Sequence, residues 1–205
     1  MHRIDHKFME DLIELEERKE FAGRSVTGSN KLLIVGTFNP SSNWSTKKND
    51  AEWFYGRKQN NLWRYIPEAV IGKSLKNDNK EMWVSFCKQH KIVIIDLIKS
   101  FNSIDKLKSF SDIEIEIKLG KKYAQPEYFD SNKSFSESKF KNVIFTRKTW
   151  GNDIAILQNA KNELINSLFE LKAITSKEQI IYCPAPWGNF KNRAMEWSNI
   201  NKLIK

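Results

Sequence analysis

Apolar residues fall into four solid runs: "KLLIVGTF" (31–38), "KIVIIDLI" (91–98), "KNVIFT" (141–146) and "QIIYCP" (179–184). Unbroken runs of that length suit strands buried on both faces of a parallel sheet. Between them the pattern changes. Residues 5–20 set Phe8, Leu12, Ile13 and Leu15 among acids and bases, as an amphipathic helix does. Helices are also predicted from "NLWRYIPEAVIG" (61–72), over 79–90, over 151–172, and after residue 193. "SDIEIEIKL" (111–119) fits a short helix or an edge strand equally, and "GRSVTGSN" (23–30) is a turn-rich connector. Strands alternating with helices predict an α/β fold, a three-layer α/β/α sandwich around a central, mostly parallel four-stranded sheet. The 205 residues fit one domain spanning 1–205, with 1–28 as its N-terminal helix and connector.

In such folds ligands bind beyond the carboxyl ends of the strands. That rule selects the loop after residue 35, Asp96 at the end of the second run, the stretch after Thr146, and the loop after residue 183. The polar stretch 40–60 is too long for a routine turn, and long loops in compact domains are commonly functional. The first loop offers Phe38, Asn39, Phe54, Tyr55, Arg57 and Asn60. The last offers Pro186, Trp187, Asn189, Phe190, Lys191 and Arg193.

Charge narrows the partners. A net charge of +9 suits a polyanionic partner, or simply a soluble surface. With 7 Trp, 13 Phe and 5 Tyr, most rings must be core, yet some could stack on bases. Rings that stack, amides that read a base edge, and Lys or Arg that hold phosphates together suit a flipped nucleotide. An apolar residue on the last loop could fill the gap left in a duplex. Each residue has a structural alternative: Asn39 a turn residue, Asp96 a helix cap, Tyr55 a packed ring.

Several classes lose support. There is no P-loop, no GxGxxG and no GxSxG elbow. Cys87 and Cys183 are the two cysteines; they cannot hold a four-thiolate cluster, and with no CxxC and a single histidine, His90, near either of them, a structural zinc site is not expected. No metal or organic cofactor is expected. The charged N-terminus is not a signal peptide, and no run approaches membrane-spanning length. A cytoplasmic monomer without membrane contact is the expectation.

"LLIVGTFNPSS" followed by "FYGRKQNNLWRYI" resembles the uracil-DNA glycosylase superfamily, nearest its mismatch-specific and hypoxanthine-type branches. "YCPAPWGNFKNRAMEW" stands where those proteins carry their second motif, and "IVIIDLIKSFNSID" is similar to their middle strand ending in Asp. The resemblance runs in order over roughly residues 31–200. It implies a monofunctional DNA glycosylase acting on a flipped uracil, hypoxanthine or modified cytosine such as the hydroxymethylated or glucosylated base of phage DNA, in repair or in defence. It makes Asn39 the residue that positions water, Asp96 a charge or general base near the sugar, and Tyr55 the ring stacked on the base. Asn60 would read that base, while Phe38, Phe54 and Arg57 would line its pocket. Pro186, Trp187, Asn189 and Phe190 would enter the duplex, and Lys191 and Arg193 would grip phosphates. The chain departs from the pattern: one more residue separates Gly36 from Asn39, Arg57 replaces the usual His, Lys58 replaces Pro, and the second motif lacks His. The alternative is a non-catalytic nucleic-acid-binding domain of the same fold.

Overall fold

The structure, a computed structural model, describes residues 1–41, 50–106, 112–147, 155–186 and 194–198. The four apolar runs form one sheet. β4 (Gly28–Gly36) lies between β5 (Ile92–Asp96) and β8 (Ser138–Phe145), and β9 (Ile180–Tyr182) pairs with β8, all parallel. Every residue of β5 is buried, as are Leu32–Gly36 of β4 and Asn142–Phe145 of β8. Side chains pointing both ways are therefore covered, which requires helices on both faces. α3 (Lys80–His90) packs on β5 and carries α2 (Leu62–Ile71). α5 (Ser131–Phe135) packs on β8, α1 (Met9–Arg18) and α6 (Ala155–Glu170). This is the predicted α/β sandwich with a parallel four-stranded sheet.

Three details differ from the sequence reading. The helix predicted over 5–20 begins at Met9. Ahead of it, β1 (His2–Asp5) pairs antiparallel with β6 (Ile98–Ser103), which in turn pairs with β7 (Glu127–Tyr128) in a second, three-stranded sheet. Secondly, "KIVIIDLI" is two strands. β5 stops at Asp96, and after Leu97 the chain enters the second sheet as β6. Apolar character continues through that change of sheet, so periodicity does not show it. Lastly, 112–119 is a helix, α4 (Asp112–Leu119): Ile115 and Leu119, four apart, are buried, while Ile117 is exposed. A small hairpin of β2 (Glu20–Phe21) and β3 (Arg24–Ser25) joins α1 to β4.

Most aromatic residues are core, as composition suggested. Phe21, Trp53, Trp63 and Trp83 form a stacked column with centroid spacings of 5.4, 5.8 and 5.1 Å. Each indole N–H is satisfied: Trp63 donates to Phe54 O, Trp83 to Leu75 O and Trp53 to Asp11. The column pins residues 53–56, otherwise loop, to α2 and α3. Both cysteines are free and buried, and burial pushes their thiols well above the ordinary range. Among the described residues no helix is long and apolar enough to cross a membrane.

A charge cluster ties β1 to the body. Lys99 Nζ donates to Glu16 (2.8 Å) and Glu127 (3.0 Å), Arg3 donates to Glu127 (2.7 Å), and Ser100 Oγ donates to the same carboxylate. Burial alone would raise the Glu127 carboxyl, but hydrogen bonds from Lys99, Ser100 and Arg3 outweigh it and hold it below its ordinary 4.5. A lowered carboxyl stabilises the fold above its ordinary value and loses that contribution as pH falls through the folded value. Protection factors of the β1 amides, taken against the intrinsic exchange rate at each pH, should therefore fall as pH drops below the ordinary 4.5, before those of β4 do. Hydrogen exchange followed by NMR checks this; equal protection of β1 and β4 on acidification would contradict it.

Candidate functional site

The site is built where β4 and β5 end. Parallel register places Gly36 directly beside Asp96. The Asp96 side chain leans over the glycine: a Cβ on Gly36 would lie 2.0 Å from Asp96 Oδ1 and 2.3 Å from the Tyr55 hydroxyl. Only glycine leaves room for both groups. Asp96 is buried and no helix follows it, so the helix-cap alternative is corrected by the structure.

Tyr55 reaches this point from the 53–56 turn, closed by Gly56 N–H donating to Trp53 O. Its φ is +58°, an unusual value for a non-glycine residue. Gly56 next to it presses on the Trp83 ring, 2.6 Å from where a Cβ would be. The aromatic column therefore holds Tyr55 in a conformation it would seldom adopt alone. Thr146, just past the end of β8, holds its hydroxyl 3.2 Å from Val35 O and 2.8 Å from the Tyr55 hydroxyl, and in the second contact either oxygen can donate. The Tyr55 hydroxyl and Asp96 Oδ1 thus meet over Gly36.

Sequence reasoning missed His6. Its Nε2–H donates to Asp96 Oδ2 at 2.7 Å, and both side chains are buried. The Phe8 N–H donates to Nδ1 (3.0 Å), which fixes the proton on Nε2. Ninety positions separate His6 from Asp96, and the charged residues around His6 read as helix. The one signal was a histidine at the very start of the amphipathic stretch.

The other predicted residues divide. Asn39 is buried beyond the end of β4. Its Oδ1 accepts from Arg57 Nη2 (2.6 Å) and its backbone O from Lys7 N–H (2.7 Å). Asn39 and Arg57 are therefore brought together. Phe38 is buried edge-on to His6 and Phe101, and Phe54 is a core ring against His6, Phe8 and Phe21. Asn60 uses its side-chain oxygen to cap the Leu62 N–H at the start of α2 (2.9 Å). Pro186 is buried, and its carbonyl accepts from Asn61 N–H (2.6 Å), so it anchors the last loop to α2 instead of standing out as a wedge tip. Trp187, Asn189, Phe190, Lys191 and Arg193 lie outside the described residues. Trp197, further along, stacks on Tyr65 at 5.4 Å.

No family model matches the chain, and no curated protein matches it. Among solved structures the chain is similar to a solution NMR structure from Methanosarcina acetivorans, a protein assigned provisionally as a uracil DNA glycosylase. The two share 18% identity over 85% of this chain and 91% of that one, with a TM-score of 0.48. A likeness at that level says nothing of the chemistry.

Proposed function

We propose that the chain hydrolyses the N-glycosidic bond of a base flipped out of DNA, as a member of the uracil-DNA glycosylase superfamily. The carrying observation is the Asp96 carboxylate: buried, at a strand's carboxyl end, oriented by His6 and crowded over a glycine beside the Tyr55 hydroxyl. A buried carboxylate with a fixed orientation suits two tasks in this reaction. Its charge stabilises the oxocarbenium character that the sugar acquires as the base departs, and it accepts a proton from the attacking water. A water beside Gly36 can donate to Asp96 Oδ1 and hydrogen-bond to the Tyr55 hydroxyl at once, which fixes its orientation for attack. Asn39 contributes a further hydrogen bond to that water, since an amide is no useful base. Arg57, held on Asn39, faces the base and favours a polar or enlarged pyrimidine, including a modified cytosine. The excess of positive charge and the last loop engage the duplex.

One observation favours the alternative of a non-catalytic nucleic-acid-binding domain. The Asn39 oxygen that would hold water accepts from Arg57. The two readings part on Asn39→Ala. In an enzyme, single-turnover base release should fall by roughly 100-fold, the effect of losing one positioned hydrogen-bonding group, while DNA affinity and its salt dependence stay unchanged. Salt-sensitive binding without base release in either protein would select the binding domain.

A further inference from the structure

We propose that His6 is a positioning residue for Asp96, delivered into the site by the N-terminal strand. The proposal rests on the catalytic reading of Asp96 and assigns a residue that the sequence motifs do not contain.

The geometry gives the two Asp96 oxygens different surroundings. Oδ2 accepts the His6 Nε2–H, whereas Oδ1 is the atom over Gly36, on the side of the Tyr55 hydroxyl. A carboxylate held by one oxygen cannot rotate freely about its terminal torsion, so the His6 bond aims Oδ1. The imidazole is itself fixed. Phe8 N–H holds Nδ1, and Phe8, Phe38 and Phe54 surround the ring at centroid distances of 5.8, 5.7 and 5.6 Å. The backbone is fixed as well. His6 N–H donates to Lys99 O and Ser41 N–H to Asp5 O, and His6 bridges to Pro40. The next residue's N–H binds Asn39 O. Residues 5–8 therefore touch both candidate catalytic residues, Asp96 through a side chain and Asn39 through the backbone. A histidine serving packing alone would need neither a fixed tautomer nor a bond to the carboxylate that meets Gly36.

The test compares His6→Phe with His6→Gln. Phenylalanine keeps an aromatic ring among the three phenylalanines but donates nothing; glutamine restores a donor. Losing one hydrogen bond to a charged group should slow single-turnover base release roughly 10- to 100-fold in His6→Phe. DNA affinity should stay within about twofold, and His6→Gln should recover most of the rate. A wild-type rate in His6→Phe, or parallel loss of rate and affinity with no rescue by glutamine, would overturn the proposal. Imidazole ¹⁵N–¹H correlation spectra supply a readout that needs neither turnover nor a folded His6 variant. In the wild type the His6 proton should sit on Nε2, at low field, and move upfield in Asp96→Asn. A proton on Nδ1, or a shift indifferent to Asp96, would overturn the positioning role. If the wild type releases no base from any duplex, the glycosylase reading fails while these spectra still decide the hydrogen bond.

Discussion

Asp96→Asn is expected to lower single-turnover base release by roughly 10²- to 10⁴-fold, the range for removing a positioned general base. The substitution is nearly isosteric. The new amide oxygen can still accept from His6 Nε2–H, so the N-terminal strand keeps its anchor. What disappears is the negative charge over Gly36 and the ability to take a proton. DNA affinity should hold or rise, because an anion in a site proposed to take a polyanion is gone. Unfolding in urea should show a stability near that of the wild type, since a buried charge is removed together with its desolvation cost. Rate loss with intact affinity is the signature of an interaction made in the transition state. Equal loss of rate and stability would make Asp96 a structural residue.

Gly36→Ala should injure both fold and function. The added methyl would lie 2.0 Å from Asp96 Oδ1 and 2.3 Å from the Tyr55 oxygen, distances no pair of such atoms tolerates. Neither group moves cheaply. Asp96 is bonded to His6 and Tyr55 to Thr146, and Tyr55 rides on a turn clamped by the tryptophan column. Overpacking of this kind costs about 1–3 kcal/mol, and base release should fall with it because both displaced oxygens belong to the proposed water site. Adding Tyr55→Phe removes one of the two clashing atoms and should return part of the stability but not the activity. Urea unfolding and base release on the single and double variants check this. A Gly36→Ala protein with wild-type stability and rate would show that the two side chains do not share this space.

Much of the sheet was legible because a buried parallel strand needs an unbroken apolar run, and four such runs exist. Gly36 and Asp96 were legible as the residues at which two of those runs change character. Their adjacency was not, since parallel register is set by packing between strands some sixty residues apart in the chain. His6 was hidden for a related reason. Its importance comes from a strand pairing, β1 on β6, and β6 itself was masked by apolar character that continues from one sheet into the next. Asn60 and Pro186 looked like pocket and wedge residues because amides and prolines at strand ends serve turns and ligands alike. Their hydrogen bonds at the start of α2 place them with the turns. Arg57 was visible as a departure from a motif, but its bond to Asn39 could be seen only once the loop had brought the two together.

The measurement that bears most directly on the central claim is base release from labelled duplexes holding uracil, hypoxanthine, thymine opposite guanine, or hydroxymethylated or glucosylated cytosine, followed by heating in alkali to cut abasic sites. Cleavage of at least one duplex by the wild-type protein, and its loss in Asp96→Asn with binding retained, is the result predicted. Salt-sensitive binding of every duplex with no cleavage of any, or cleavage that Asp96→Asn leaves untouched, would contradict it.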